Sequence, residues 1–328
     1  MNNLNRKLSQ LYARDRAEAE RASQMRRAQA YARAPRLKEL ADELRLIGTA
    51  LSRLALGEGD QALPQALKLR EEHRRIVQER TAILSSLNLA PTYFTDTHTC
   101  RSCKDTGFDE STNKRCACFK KKQIELFYGD SMPDTSMRFG TFKPGLHSSD
   151  PWTEEEGRPL LKPPQEQMDN NLRTAKAFAQ AFPHGDKHLL LYGATGLGKT
   201  HLCTAIFNEL SDTGYLALYV PAPDMFAKVE DSRFSRDADT QQEADISIKL
   251  LYEADLLIID DLGSEFPTVV TNTELFNLLN MRLLQDRAMV ISTNLTFSRL
   301  RDTYSERVSS RIMGNFRHLR FYGTDMRY

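Results

Sequence analysis

The sequence predicts an α/β domain over its C-terminal half, in which helices cover both faces of a parallel sheet. From Asn170 onward, short apolar runs alternate with helical stretches, and a glycine-rich loop directly follows the first run. The five runs are HLLLY (188–192), YLALYV (215–220), DLLIID (255–260), AMVIST (288–293) and FRHLRFY (316–322). Continuous apolar runs are typical of strands buried on both faces, and their alternation with helices indicates a parallel five-stranded sheet.

The composition is that of an ordinary soluble protein. The chain has 328 residues, of which 27% are charged and 40% are hydrophobic, and its formal net charge is +1. These values fit two or three domains, and the balanced charge indicates no particular partner. No apolar run resembles a signal peptide or reaches the roughly 20 residues of a membrane span. We therefore expect a cytoplasmic protein without a membrane partner.

Residues 1–95 are predicted to be a helical partner-binding region. Apolar residues recur at helical spacing over 37–56, the segment GEGD at 57–60 interrupts the pattern, and residues 63–89 resume it. This pattern predicts an antiparallel pair of amphipathic helices. The pair could bury its own apolar faces or dock on a protein partner, and the sequence favours neither.

Four of the five cysteines lie within residues 96–128, which we predict to be a small zinc-binding knuckle. Cys100 and Cys103 form a C-x-x-C pair, and after twelve residues Cys116 and Cys118 form a C-x-C pair. Four thiolates complete a tetrahedral structural zinc site, and in a reducing compartment such a cluster favours metal over disulfides. The alternatives are unligated or redox-active thiols. His98 could substitute for a ligand, although none is missing.

A polar linker rich in proline and glycine is predicted at 129–169. The predicted ATPase domain occupies 170–328, and its first strand is followed by a phosphate-binding loop. The sequence GATGLGKT (193–200) satisfies the G-x-x-x-x-G-K-[ST] spacing between a strand and a helix, as the motif requires. Lys199 is expected to reach the β and γ phosphates of ATP, and Thr200 to bind Mg²⁺. The nucleotide-binding candidates are Gly193, Ala194, Thr195, Gly196, Leu197, Gly198, Lys199, Thr200 and Asp260.

Polar residues at the ends of later strands complete the expected chemistry. Asp260 is placed to hold Mg²⁺, and Asp261 to orient the attacking water as a general base. Asn294 follows the fourth strand and could contact the γ-phosphate or the water, or cap the next helix. Arg307 and Arg311 share a helical face. They could be ordinary solvated arginines, or one could supply the positive charge that phosphoryl transfer requires.

Five motifs resemble the AAA+ ATPase domain of bacterial helicase loaders of the DnaC/DnaI type, within the IstB/DnaC-like ATP-binding family. They are GATGLGKT, LLIIDDLG, STN, ERVSSRI and the terminal GTDMR, in this order over residues 130–328. The resemblance implies that Asn294 is a sensor and Arg311 an arginine finger acting in trans. It also implies that Arg327 is a second sensor that reads the nucleotide in cis. The expected cofactors are ATP, Mg²⁺ and Zn²⁺.

The resemblance also implies partners. Loaders similar to the Bacillus type carry a zinc-bearing N-terminal domain that docks on the hexameric replicative DNA helicase, and a trans-acting arginine implies an ATP-dependent homo-oligomer. Single-stranded DNA is the expected nucleic acid. An insertion of the initiator type is expected between the second and third strands, and its aromatic and basic residues suit DNA backbone contact and base stacking. These residues are Phe226, Lys228, Arg233, Phe234 and Arg236.

Two other functions remain open from the sequence. A transposition helper ATPase of the IstB type would share the whole motor, but such helpers usually lack a cysteine module. A non-hydrolysing ATP-binding adaptor would need no general base or arginine finger, whereas Asp261 and Arg311 are both present. The sequence therefore favours an ATP-hydrolysing helicase loader over both.

Overall fold

The structure is a computed structural model. It describes residues 3–55, 62–95, 97–109, 111–112, 114–129, 132–152, 160, 162–266 and 268–325. The chain divides into two compact units, one of residues 9–116 and the other of residues 117–328 together with the start of the first helix, up to Leu8. Across the described ranges, every helix is too short or too polar to serve as a membrane span.

The unit of residues 9–116 contains the predicted helical pair. Its helices are α1 (Asn3–Arg33), α2 (Arg36–Ala55) and α3 (Ala62–Ser86). Leu37 at the start of α2 packs with Leu84 at the end of α3, and Ile47 packs with Ile76 further along. The two helices are therefore antiparallel, as predicted, and bury their apolar stripes against each other. The predicted break at 57–60 lies outside the described residues.

Helix α1 was not singled out by the sequence pattern. Its buried positions within this unit include Tyr12, Asp15, Ala19, Ser23 and Ala30. Their spacing of three, four or seven residues places them on one helical face. Small and polar side chains occupy most of these positions, so a search for large apolar residues does not detect the stripe.

The other unit is built on a parallel sheet of five strands in the order β2-β3-β4-β1-β5. The strands are β1 (His188–Gly193), β2 (Ala217–Pro221), β3 (Leu256–Leu262), β4 (Ala288–Thr293) and β5 (Arg317–Phe321). All five predicted strands are confirmed, with ends that differ by at most two residues. The first strand lies between β4 and β5, and Tyr192 is opposite Thr293. The ends of β1 and β4 therefore meet at one edge of the sheet.

Helices cover both faces of this sheet. They are α4 (Cys118–Tyr128), α5 (Pro164–Ala181), α6 (Lys199–Asp212), α7 (Ala222–Phe234), α8 (Ala238–Glu253), α9 (Val269–Leu284), α10 (Phe297–Tyr304) and α11 (Glu306–Asn315), with a short 3-10 turn at Pro144–Leu146. Leu189 and Ile258 belong to an apolar cluster with residues of α5 and α6. Leu190 and Leu257, which point to the other face, are equally buried. The α/β fold class is thereby confirmed.

One charged side chain lies wholly inside this unit. Arg282 of α9 is 0% exposed, and its guanidinium donates to the carbonyl oxygens of Leu251 (2.7 Å) and Ala288 (2.6 Å). Leu251 is in the last turn of α8, and Ala288 begins β4. A helix leaves its last carbonyl groups without intrahelical partners, so Arg282 satisfies one of them and links α8 to the sheet.

Candidate nucleotide site and metal centre

The glycine-rich loop connects β1 directly to α6, because β1 ends at Gly193, residues 194–198 form the loop and α6 begins at Lys199. Lys199 is buried, and its Nζ donates to the carbonyl oxygens of Gly193 (2.8 Å) and Ala194 (2.6 Å). Leu197 is fully buried and anchors the loop in the core. The first N–H groups of α6 point out of the helix and make its N-terminus attractive to anions. The predicted order of strand, loop and helix is thus present.

Asp260 lies near the end of β3 and receives three hydroxyl groups. Its Oδ2 accepts hydrogen bonds from Thr200 (2.9 Å) and from the Tyr219 hydroxyl (2.7 Å). Its Oδ1 accepts a short hydrogen bond from Ser292 Oγ of β4. The carboxylate is only 4% exposed, and these neutral donors compensate for the loss of water. The bond from Thr200 joins the glycine loop to β3.

Asp261 occupies an irregular position at the end of β3. The register with β4 shifts between Ile259 and Leu262, and Asp261 has φ +56°, in the left-handed region that non-glycine residues rarely adopt. Its backbone N–H donates to Ser292 Oγ at 2.9 Å. Consecutive side chains of a strand already point to opposite faces, and the bulge adds a local bend at Asp261. Asp261 is partly exposed, whereas Asp260 is buried.

The remaining predicted motor residues occupy different places. Asn294 is exposed and directly follows β4, whose last residue is opposite Tyr192 of β1. Arg311 of α11 donates to Asn280 Oδ1 at 2.9 Å and lies 4.4 Å from the centre of the Phe276 ring. Both contacts of Arg311 are to α9, so this side chain is held on the surface of α9 and α11. Asn294 instead lies at the edge of the sheet where β1 leads into the glycine loop. Arg327 lies outside the described residues.

Sequence reasoning missed two members of the site, Tyr219 and Ser292. Burial and the negative charge of Asp260 raise the pKa of Tyr219 well above its usual value, so the hydroxyl remains a donor. The strand β2 pairs with β3, and Tyr219 comes two residues before its end. A tyrosine near the carboxyl end of an otherwise apolar strand was the available signal, because ligands bind at that edge of open α/β sheets.

The expected DNA-binding residues are only partly available. Phe226 is buried in the core and 3% exposed, so it cannot stack on a base and that expectation is wrong. Lys228 lies 5.3 Å from the centre of the Phe127 ring, and Arg233 forms an ion pair with Glu274. Phe234, at 65% exposed, and Arg236 remain accessible.

The four clustered cysteines fit a zinc ion. The four Sγ atoms lie within 4.8 Å of one another, and those of Cys100 and Cys116 are 3.7 Å apart. Four thiolates at 2.3 Å from a tetrahedral zinc have sulfur atoms about 3.8 Å apart. None of the five cysteines, all of which the structure describes, forms a disulfide. The donor set and its spacing therefore suit Zn²⁺, with Cys100, Cys103, Cys116 and Cys118 as ligands.

The first cysteine pair is held against α1. A Cβ at Gly107 would lie 2.7 Å from the Tyr12 ring, and Gly107 has φ +78°, so only glycine suits this turn. Arg16 donates to the carbonyl oxygen of Asp105 at 2.6 Å. The Asp105 carboxylate accepts the backbone N–H of Cys100 at 2.7 Å. The knuckle thus has its own packing on α1 in addition to whatever a metal would add.

The comparisons with known proteins cover the part of the chain that contains the glycine loop. A family model described as "IstB-like ATP binding protein" matches residues 166–317. Over these residues the chain is therefore similar to IstB-like ATP-binding proteins. The matched range contains the glycine loop, β3 with its two acids, Asn294 and Arg311, and it excludes the helical unit and the cysteine cluster.

Relatives of this chain include two proteins of Escherichia coli (strain K12). Uncharacterized protein YdaV is 27% identical over 144 residues, which are 44% of this chain and 56% of YdaV. Replicative helicase loader DnaC is 27% identical over 147 residues, which are 44% of this chain and 58% of DnaC. A crystal structure of the DnaC helicase loader aligns with a TM-score of 0.42 and 21% identity, over 48% of this chain and 90% of that chain. This chain spans a little over half the length of YdaV and of DnaC.

Proposed function

We propose that this chain is an ATP-dependent loader that binds a hexameric replicative DNA helicase and delivers it to single-stranded DNA. The observation that carries the proposal is the Thr200–Asp260 hydrogen bond of 2.9 Å. It joins a phosphate-binding loop to an acidic strand end, which is the arrangement that nucleotide hydrolysis by P-loop proteins uses. The match to the ATP-binding family and the similarity to DnaC support the loader role.

The proposed ATPase mechanism assigns a task to each residue of the site. The loop of residues 193–200 binds the phosphates, with Lys199 at the β and γ groups and Thr200 and Asp260 toward Mg²⁺. Bound Mg²⁺ would neutralise charge on the phosphates. Asp261 accepts the proton of the attacking water as general base, and Asn294 orients that water or the γ-phosphate. Burial of Lys199 and Asp260 strengthens the electrostatic contacts of these two residues.

The proposal extends to assembly through two arginines. Arg311 is proposed to act as a finger on the site of a neighbouring subunit in a homo-oligomer, and Arg327 as a sensor within its own subunit. The contacts of Arg311 to Asn280 and Phe276 are compatible with this role, because they hold the guanidinium in a defined position on the α9 and α11 surface.

The N-terminal half is proposed to recruit the helicase in the cytoplasm. Residues 1–95 and the cysteine module at 96–128, loaded with zinc, would dock on the helicase, and 129–169 would link them to the ATPase domain of 170–328. Packing of Gly107 against Tyr12 supports a joint docking surface of knuckle and helices. Phe234 and Arg236 are the exposed candidates for contact with single-stranded DNA.

Two variants test the motor. Lys199→Ala should abolish ATP binding, whereas Asp261→Ala should bind ATP and fail to hydrolyse it, since one residue contacts phosphate and the other water. Binding is measured by calorimetry and hydrolysis by phosphate release. Equal ATP affinity in wild type and Lys199→Ala would remove the nucleotide-site assignment.

Co-purification tests the partner. Full-length protein should retain a hexameric replicative helicase with ATP more strongly than with ADP, if nucleotide controls loading. The IstB-like description of the matching family favours one second candidate, a transposition helper. Retention of a transposase and not of the helicase would decide for that candidate.

A further inference from the structure

The chain that follows β5 returns to the glycine loop. In the register of β1 with β5, Phe321 is opposite Gly193, where the loop begins. The Tyr322 hydroxyl donates to the carbonyl oxygen of Lys162 at 2.8 Å. Gly323 has φ +128°, and a Cβ there would lie 3.2 Å from Pro164 Cβ. These contacts fix the direction of the chain, and Asp325 follows only four residues after Phe321.

The Asp325 carboxylate lies directly on Gly196, in the middle of the loop. Gly196 has φ +73°, and a Cβ at this position would overlap both carboxylate oxygens and the carboxyl carbon of Asp325. The G-x-x-x-x-G-K-[ST] spacing does not itself demand glycine at 196. The close approach of Asp325 gives a separate physical reason for glycine there, and it places a negative charge against the loop that is proposed to bind phosphates.

We infer that Asp325 is a further residue of the nucleotide site, where its carboxylate acts as an internal anion that competes with the nucleotide phosphates for the glycine loop. The inference rests on the proposed function. A carboxylate and a phosphate seek the same surroundings, namely backbone N–H groups at a helix N-terminus and a nearby lysine. A phosphate chain seated on this loop would meet both the volume and the like charge of Asp325.

The short tether makes this competition effective. Because only three residues separate Asp325 from the end of β5, its carboxylate stays close to the loop at a high effective concentration. A nucleotide must therefore bind the fraction of molecules in which Asp325 has left Gly196, and the apparent affinity falls in proportion to that fraction. ATP binding and displacement of residues 322–325 become one linked equilibrium. The position of residues 322–325 would then depend on bound nucleotide, and a partner protein could recognise this difference.

The test compares Asp325→Asn with the wild type by calorimetric titration of Mg-ATP. The amide keeps the shape of the side chain and removes its charge. If Asp325 covers the loop in most molecules, Asp325→Asn should bind Mg-ATP roughly three- to tenfold more tightly. Asp302→Asn is the matched control, because it removes an exposed carboxylate of α10 and gives the same change in net charge. This control should bind like the wild type.

Each outcome separates the inference from the proposed function. If Asp325→Asn and the wild type bind Mg-ATP equally, or the variant binds more weakly, the inference is wrong while the nucleotide site stands. If no protein of the set binds Mg-ATP, the nucleotide-site assignment fails. Hydrogen exchange of the protein without nucleotide is an independent measurement. The backbone amides of 322–325 should exchange faster in Asp325→Asn than in the wild type. Equal exchange rates would contradict the contact between Asp325 and the glycine loop.

Discussion

Three hydroxyl groups donate hydrogen bonds to Asp260, and each restricts the rotation of its carboxylate. The donors from Thr200 and Tyr219 share Oδ2, while Ser292 occupies Oδ1. The side chain cannot rotate without breaking at least two hydrogen bonds. The carboxylate is therefore held in one orientation, and such preorganisation favours a metal-dependent phosphoryl transfer.

Tyr219→Phe should leave the Asp260 carboxylate less firmly oriented, because it removes one of the three hydroxyl donors. A hydrogen bond to a charged group contributes about 1.5–3 kcal/mol, so its removal should raise the Mg²⁺ concentration for half-maximal ATP hydrolysis roughly tenfold. ATP binding in the presence of a chelator should be unchanged, because the Tyr219 hydroxyl donates to Asp260, which is proposed to act through Mg²⁺. Tyr252→Phe, which removes a half-buried hydroxyl on α8, is the control. An unaltered Mg²⁺ dependence would show that Tyr219 does not position Asp260.

Arg311 offers a test of assembly at the scale of one residue. Arg311→Ala should bind ATP normally and hydrolyse it about 10³ times more slowly, if it behaves like other arginine fingers. Mixing Arg311→Ala with Asp261→Ala should restore part of the activity, because some interfaces then combine an intact Asp261 with an intact arginine of the neighbour. Arg307→Ala, one turn earlier and exposed, should retain activity. A strictly cis arginine predicts no recovery at any mixing ratio in protein shown to assemble.

At the scale of elements, the cysteine knuckle depends on two sources of stability. The four thiols can bind a metal, and Gly107 packs on Tyr12 of α1. A small segment with little apolar core ordinarily folds only when its metal is bound. The contacts with α1 therefore position the knuckle, and a bound metal would add to its stability.

Purified protein should contain about one zinc per chain, measured by elemental analysis. Cys100→Ser combined with Cys103→Ser should lose the metal, raise hydrogen exchange over residues 97–118 and abolish helicase binding. ATP affinity should stay at the wild-type value, since these cysteines are outside the matched ATP-binding domain. Cys203→Ala is the control: it removes the buried cysteine of α6, and the protein should still contain one zinc per chain. A double variant that still binds the helicase normally would contradict the docking role of the knuckle.

The elements differ in how well the sequence predicts them, and the reason is side-chain size. Four strands of the sheet are mostly apolar and β5 alternates polar with apolar residues, so all five were predicted with ends within two residues. Helix α1 buries Asp15, Ala19 and Ser23 instead, and these residues give no strong periodic signal. Tyr219 could not be assigned because its partner depends on the pairing of β2 with β3. Phe226 was misassigned because a local aromatic and basic pattern does not reveal which face of α7 is buried.

The molecule as a whole should lose stability in mild acid through one buried histidine. Burial, with the charges of Arg282 and Lys187, lowers the pKa of His188 to about 4, although Asp286 opposes this shift. Between pH 6.5 and about 4 the unfolded chain carries a proton on this residue and the folded chain does not. The unfolded state then binds more protons, so stability falls as pH decreases across this window.

Thermal unfolding followed by circular dichroism at pH 7 and pH 5 measures this effect. His188→Gln should reduce the acid-induced fall in melting temperature by a few degrees. His184→Gln changes an exposed histidine four residues earlier and should leave the fall unchanged. The same pH sensitivity in His188→Gln as in wild type would assign the acid response to other groups.

The buried Arg282 has a consequence for genetic searches for the active site. Its removal would leave the carbonyl groups of Leu251 and Ala288 without their donor, at a cost of about 1–3 kcal/mol for each buried group. A growth selection over all single substitutions would therefore rank Arg282 beside Lys199, although no motif marks it. Loss of folding and loss of activity can be told apart only when the amount of soluble protein is measured together with growth. Arg282 variants should disappear from the soluble fraction, whereas Lys199 variants should accumulate as folded, inactive protein.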